Sequence, residues 1–583
     1  MSYEMMFHNA VGLHEAGRLD EAETIYRQIL ETAPEQPDVL NLLGLVAQAK
    51  GAQSEACRLF MRAIRGKPQE ASFYYNLAFS FKLDNRPREA LENFIKVTEL
   101  APTVKETYNE IALLLQDSDM NKARQNWSYA LQLDGNYAEA KANMAMSYES
   151  ENSGKAIVDL EKLAGEYPQE ALIFYYLTKL YMRRELWENA WSTAVKAKEL
   201  APTSDEIRVL LALLSCHDNQ PENAKIYFAK AELLNPNNLA ALMGLADLYS
   251  REGNFAEAEP RYKRVIELES NNFDAHNNYA EMLQRQGRLS EALEEYRAAV
   301  IINPVSAEVC NNLGLILRDL GEYDEALGLL FNALAHKPEQ EETSVNLSET
   351  LILLSRQDVD KAKKIADNWL KQMPDNAFAR QTAAALRGEN VENNQIYSEK
   401  LFDNFADNYE LVIKNLGYSV PAAMRRIAGD VKGAVADLGC GTGLVAEALK
   451  TPENRFIGVD ISQKMLDAAA QKGLYDKLIK ADIGDFLQNN NEFDWAIAAD
   501  VFGYIGELSA TIEALKNKKI IFSIEVSDQE ANYSIMPNGR YKHNPQYVEK
   551  LLRENGFGRI TKEELVLRTE NGKPVKGMIF KGE

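Results

Sequence analysis

VADLGCGTG, residues 435–443, decides how the last third of the chain is read. Small and apolar residues with one acid, Asp437, run into Gly439, Gly441 and Gly443, as in a buried strand entering a tight turn. A helical pattern follows in Leu444, Val445, Ala448 and Leu449. Such a turn lets backbone N–H groups approach a nucleotide-like ligand without interference from Cβ, beside a helix N-terminus. Seventeen residues beyond Gly443, FIGVDIS closes a second apolar strand at Asp460, where an acid can hydrogen-bond ribose hydroxyls.

The spacing narrows the ligand. A dinucleotide fingerprint needs a glycine at the position of Leu444, and the chain has GxGxG instead. That favours S-adenosyl-L-methionine, which has no pyrophosphate, over NAD. Asp437 agrees, since it suits the methionine ammonium and would oppose a phosphate. On these residues the stretch from about 395 to 583 resembles the class I SAM-dependent methyltransferases. The resemblance implies an α/β, Rossmann-like fold with a seven-stranded sheet closed by an antiparallel hairpin. It places Gly439, Cys440, Gly441 and Gly443 against the cofactor and Asp460 on its ribose. Ile461 and Ile483 then pack on adenine, Asp482 accepts from the adenine amino group, and the backbone near Ala499 meets the methionine ammonium.

The remaining α/β alternation supports that reading. QKMLDAAAQK is helical, KLIKADIGDF brings out a third strand, and EFDWAIAADVFGYIG is a fourth strand with its exit. KKIIFSIEVSD is a fifth, ending at Glu525. The last residues read as two strands joined by Asn571-Gly572, a hairpin signal. Upstream, Tyr397, Leu401, Phe402, Phe405 and Tyr409 share one helical face. In the resembled family such a segment caps the cofactor pocket, and Tyr397 and Tyr409 are its candidate tyrosines. Asp500 and Tyr504 follow strand four on the substrate side. Arg540, Tyr541 and His543 form an R-Y-x-H pattern, with His543 a candidate proton acceptor. The segments LFDNFADNYE, LGYSVP and R-Y-x-H are similar to a subgroup of bacterial predicted methyltransferases that carry tetratricopeptide repeats in the same chain. The N-methyltransferase motif of the asparagine-proline-proline-tyrosine type is absent, which argues against DNA adenine as acceptor.

The first two thirds repeat. Small residues recur at Ala22, Ala56, Ala90, Ala123, Ala156, Ala190, Ala224, Ala258, Ala292, Ala326 and Ala362, with gaps of 33 to 36 residues. A proline follows most of them after about twelve positions. Each unit reads as two antiparallel helices, the small residue allowing close approach and the proline ending the second helix. This resembles the tetratricopeptide pattern in some eleven copies, which implies an all-α superhelix over residues 1–386, a linker at 387–395 and the transferase at 396–583. Asn278, Asn312 and Asn346 recur at intervals of 34 and resemble the asparagine ladder of the O-linked N-acetylglucosamine transferase superhelix. They are the candidate peptide-binding row, assigned to repeats eight to ten.

Composition bounds the rest. Net charge is −22; residues 391–583 hold 28 acids and 24 bases, which leaves −18 for residues 1–390. That balance argues against a nucleic-acid partner. Four scattered cysteines and the absence of HExxH or paired Cys-x-x-Cys spacing indicate neither disulfides nor a metal site. Neither a membrane-length apolar run nor a signal-peptide pattern occurs, so a cytoplasmic location is expected. Two functions stand at this point. One is a SAM-dependent methyltransferase whose repeats recruit a protein or peptide; the other is a repeat-based adaptor with a SAM-binding but non-catalytic domain. Self-association through the repeats is left open.

Overall fold

The computed structural model describes residues 3–391, 395–570 and 572–583. Two compact units divide at Leu268–Glu269.

The first unit is a stack of helix pairs, from Tyr3–Glu15 with Leu19–Thr32 to Leu239–Arg251 with Phe255–Leu268. The recurring alanines sit in the second helix of each pair, and Ala22, Ala56, Ala90, Ala123, Ala156, Ala190, Ala224 and Ala258 are wholly buried. The first helices are equally close to their neighbours. A Cβ on Gly44 would fall 2.6 Å from the Phe60 ring, and one on Gly244 would fall 2.4 Å from the Phe228 ring. The glycine-to-phenylalanine exchange is thus a packing pair, with a large ring filling the space where a side chain is missing.

The second unit opens with three more pairs, ending in Glu341–Ser355 and Val359–Gln372, and a closing helix Ala377–Arg387. Ala292, Ala326 and Ala362 are again fully buried. The helix Gln395–Phe405 follows, then a single 3-10 turn at Ala406–Asn408 and the helix Tyr409–Asn415. The apolar face read from Tyr397 to Tyr409 is therefore broken by a tighter turn around the buried Ala406. Tyr397 and Leu401 pack on the repeat core beside Phe378. Lys400 pairs with Glu341 at 2.6 Å.

Among the described residues nine strands complete the unit: β1 (Gly433–Leu438), β2 (Asn454–Asp460), β3 (Lys477–Lys480), β4 (Trp495–Ala498), β5 (Lys519–Glu525), β6 (Tyr533–Ile535), β7 (Tyr541–His543), β8 (Ile560–Glu570) and β9 (Lys573–Gly582). Seven form one sheet in the order β3-β2-β1-β4-β5-β9-β8. The first five are parallel, with Asp437 beside Gly458 and Ile497; β9 runs antiparallel to β5 and β8. The fold is Rossmann-like, and its helices bury an apolar core on each face. Strand order reverses between β1 and β4, so their carboxyl ends frame a crevice. Asn571 of the expected turn lies outside the described residues; Gly572 has φ +73°. The β6–β7 hairpin is an addition that the sequence reading did not include. It is joined through Pro537-Asn538-Gly539.

Candidate functional site

At the β1 exit, the three glycines are required for different reasons. Gly439 has φ +67°, and a Cβ there would lie 2.6 Å from Val501. Gly443 caps the helix Leu444–Leu449 in the left-handed conformation. Gly441, at φ +54°, faces open space, with only the Tyr409 ring within 4 Å of a built Cβ, at 3.9 Å. The loop is held from below. Asp460 accepts hydrogen bonds from the Gly441 and Ser462 backbone N–H groups at 2.8 and 2.9 Å. Asp482 caps the helix Ile483–Asn489 by accepting from the Gly484 N–H at 2.7 Å.

Above this loop lies a cavity of about 410 Å³. Nine of the residues expected to meet a cofactor line it: Tyr397, Tyr409, Gly439, Gly441, Asp460, Ile461, Asp482, Ile483 and Ala499. Asp500 and Tyr504 line it too, as do Arg540, Arg568 and Glu570. The opposite wall is made by Val345, Ser348, Glu349, Ile352 and Phe378, from the last repeat and the closing helix. The volume is within the range of small-molecule sites.

Asp437, Cys440 and Gly443 lie behind that surface. Asp437 is 1% exposed; its Oδ2 accepts from the Tyr475 hydroxyl at 2.7 Å, and its Oδ1 has no hydrogen-bond partner among the described residues. Burial pushes its carboxyl up to about 7, the Tyr475 hydrogen bond opposes this, and nearby Asp460 adds to it. Burial also raises the Cys440 thiol, so it is neutral and no nucleophile.

Behind the β4 exit is a charged network. Arg540 donates from Nε to Glu525 at 2.6 Å, from Nη1 to the Tyr504 hydroxyl at 2.6 Å and from Nη2 to Asp500 at 2.8 Å. Arg568 donates to Glu570, Asp500 and Glu525 at 2.6, 2.9 and 2.7 Å. Burial pushes the Asp500 carboxyl up although both guanidiniums counter it. For Glu525 burial works in the same direction, but Arg540 and Arg568 prevail and hold it below the ordinary range. Asp500 has φ +59°, a left-handed residue at the crevice rim.

Residues 435–517 match the family model described as a methyltransferase domain. Residues 12–71, 243–307 and 309–342 match models described as tetratricopeptide repeats. The chain is a tetratricopeptide–methyltransferase fusion. Two curated relatives each match part of the chain. Type IV pilus assembly protein PilF of Pseudomonas aeruginosa is 26% identical over 177 residues, 29% of this chain and 69% of that protein. Superkiller complex protein 3 of Homo sapiens is 22% identical over 260 residues, 43% of this chain; the match spans only 17% of the human protein's length. A solved tetratricopeptide repeat protein from Parabacteroides merdae is 18% identical with a TM-score of 0.38, covering 42% of this chain and 97% of that one.

Of the four candidate catalytic residues, Asp500, Tyr504, Tyr541 and His543, the last two are not among the residues lining this cavity. His543 is fully buried; its Nε2 sits 2.9 Å from the Gly506 carbonyl and so carries the proton. Burial lowers its pKa, keeping the ring neutral. Without reach to the cavity it is a pin between β7 and the β4 exit, and the proton-acceptor expectation is corrected accordingly. Tyr541, 2% exposed, packs with Ala385 and Ile535, and its hydroxyl accepts from the Val391 N–H at 3.4 Å. It fastens the hairpin to the closing helix of the repeats rather than facing an acceptor.

The asparagine row also differs from a free clamp. Asn278, Asn312 and Asn346 belong to the ninth, tenth and eleventh helix pairs. Asn346 is 8% exposed and donates to Asn311 Oδ1 at 2.9 Å. Asn312 is half-buried beside Tyr296, and Asn278 accepts from Asn277 at 3.2 Å. Similar rungs join Asn76 to Asn41 at 3.0 Å and Asn143 to Asn109 at 2.9 Å. Sequence reasoning missed Arg568, Tyr475 and Glu349; each acts across a long separation, with no local spacing to betray it.

Among the described residues, no group of three or more His, Cys, Asp or Glu could hold a metal ion, and no helix is long and apolar enough to cross a membrane.

Proposed function

We propose that the chain is a SAM-dependent methyltransferase, residues 396–583 being the transferase and residues 1–386 a repeat array that recruits a protein or peptide acceptor. The observation that carries this reading is the shared cavity, where the glycine loop and the carboxylates of Asp460 and Asp482 face the same space. S-adenosylmethionine fits these residues. Open space over Gly441 admits a ligand to the backbone, Asp460 would accept from ribose hydroxyls, and Asp482 from the adenine amino group. The Oδ1 of buried Asp437, without a hydrogen-bond partner among the described residues, would be relieved by a nearby cation. When bound, the cofactor supplies a methyl group on a positively charged sulfur, an already activated leaving group.

The chain's own residues orient and enclose. Tyr397 and Tyr409 close the cavity beside the leading helices, while the Arg540–Asp500–Arg568 network fixes the β4 exit against which an acceptor would be aligned. Among the described residues no neutral histidine faces the cavity, so alignment and exclusion of water are the main contributions.

Calorimetric titration of the full-length protein with S-adenosylmethionine, beside Asp460→Ala, tests this. Binding that the substitution abolishes supports the transferase site. Absence of binding overturns it and leaves the repeats as the working part. Binding without transfer to any captured protein would favour the adaptor reading.

A further inference from the structure

The repeat wall of the cavity bears on the methyl acceptor. Glu349 is on the first helix of the eleventh repeat, yet it lines the same cavity as the glycine loop. Tyr397 feels the charges of Tyr504, Arg540 and Glu349, whereas Tyr409 feels those of Asp500, Tyr504, Arg540 and Asp460. Glu349, Asp460, Asp500 and Arg540 all line this one cavity.

Carboxylates outnumber guanidiniums along the cavity lining, and Arg318, which is not part of that lining, pairs with Glu349. Five carboxylates line the cavity (Glu349, Asp460, Asp482, Asp500 and Glu570) against two guanidiniums, Arg540 and Arg568. Every nitrogen of both guanidiniums already donates to Asp500, Glu525, Glu570 or Tyr504. An anionic acceptor would find no spare cation, and its own charge would add to the carboxylates. Arg318 donates to Glu349 Oε2 at 2.8 Å, and no other hydrogen bond to this carboxylate is found among the described residues. Its side chain is 47% accessible within a setting whose burial pushes the carboxyl up; Arg318 opposes that shift and Asp319 adds to it. The same cavity has apolar lining from Val345, Ile352, Phe378 and Phe402.

We infer that the methyl acceptor is an amine on an apolar stem, and that Glu349 of the eleventh repeat is the carboxylate that selects it. This rests on the methyltransferase reading. A cationic amine meets the excess negative charge, its stem meets the apolar wall, and Glu349 Oε1 offers the acceptor for its N–H. The bound ammonium first gives up one proton to bulk water; the freed nitrogen lone pair then forms the N–C bond as the C–S bonding pair returns to sulfur, leaving a methylammonium. Arg318 holds Glu349 through Oε2, which leaves Oε1 to face an acceptor. A lysine side chain and a free small amine share this chemistry. The repeat array is then part of the specificity pocket, beyond any role as a tether.

The test uses full-length protein saturated with S-adenosylhomocysteine, titrated with 3-phenylpropylammonium, Nα-acetyllysine methylamide, 3-phenylpropionate and 3-phenylpropanol. At least one ammonium probe is expected to bind, the carboxylate and alcohol more weakly, and the tighter ammonium probe identifies a small-molecule or lysyl source. Glu349→Gln should weaken ammonium binding by roughly tenfold, as expected for loss of a charge-assisted hydrogen bond, with Glu349→Asp retaining part. Affinity for S-adenosylhomocysteine should not change in either variant. Carboxylate or alcohol binding as tight as ammonium overturns the inference. So does the absence of ammonium binding, or indifference to Glu349→Gln. Failure of S-adenosylhomocysteine itself to bind strikes the transferase reading instead.

Discussion

The Tyr475 hydroxyl donates to Asp437 Oδ2 at 2.7 Å, the one hydrogen bond that the buried motif acid's side chain receives from the described residues. Its other oxygen has no partner among them, and burial pushes the carboxyl to about 7 despite Tyr475, with Asp460 adding to the rise. Cys440, the remaining titratable neighbour, is neutral. In an unfolded chain the same group titrates near its ordinary value of about 4. Between those two values the folded protein holds the extra proton, so this group's contribution to stability falls as pH rises from about 4 to about 7 and is level above. The slope in that window is at most about 1.4 kcal/mol per pH unit. Denaturant unfolding of wild type and Asp437→Asn should therefore show the variant gaining relative stability from about pH 5 to about pH 8. Parallel pH profiles for the two proteins would refute the assignment.

Gly439 and Gly441 separate folding from ligand access. A methyl group on Gly439 would lie 2.6 Å from Val501 at φ +67°, so Gly439→Ala combines overpacking with strain and should cost about 2–4 kcal/mol. Gly441→Ala meets only Tyr409 at 3.9 Å and should cost about 1 kcal/mol for its φ of +54°. It should nonetheless weaken S-adenosylhomocysteine binding, because its Cβ enters the cavity. Unfolding and calorimetry on both variants check the split; equal stability losses would remove it.

What was legible in the sequence follows from range. The glycine loop, Asp460 and Asp482 were readable because each sits at a strand end fixed by local alternation. The repeats were readable because one period recurs. The Asp500–Arg540–Arg568–Glu525 network was not, since its members come from the β4 exit, the β6–β7 hairpin, β8 and β5 and meet only in the fold. The β6–β7 hairpin has three residues per strand, too few for alternation to register. The helical face of Tyr397 and Leu401 was visible, but periodicity says nothing of its partner, which is the Phe378 side of the repeats.

Arg568 is 3% exposed and bridges three carboxylates. Arg568→Met would leave Asp500 and Glu525 sharing Arg540 alone in a buried setting. Breaking such a group by removing one member costs about 3–5 kcal/mol. Arg568→Lys should recover part of the charge but not the fork geometry. Thermal unfolding should rank wild type above the lysine variant and the lysine variant above methionine. A methionine variant as stable as wild type would show that the network is dispensable for folding.

Asn346 distinguishes a clamp from a staple. Its amide is spent on Asn311 Oδ1 at 2.9 Å, and the Asn76–Asn41 and Asn143–Asn109 pairs repeat that bond elsewhere in the array. Asn346→Ala leaves a buried acceptor unpaired and should lower stability by about 1–3 kcal/mol. Asn312→Ala, at a half-buried position, should cost less and bear more on what the groove holds. Denaturant titration of the two variants, with pull-down of interacting proteins in parallel, reads both effects. If Asn346→Ala were neutral to stability yet abolished capture, the asparagine row would be a peptide clamp after all.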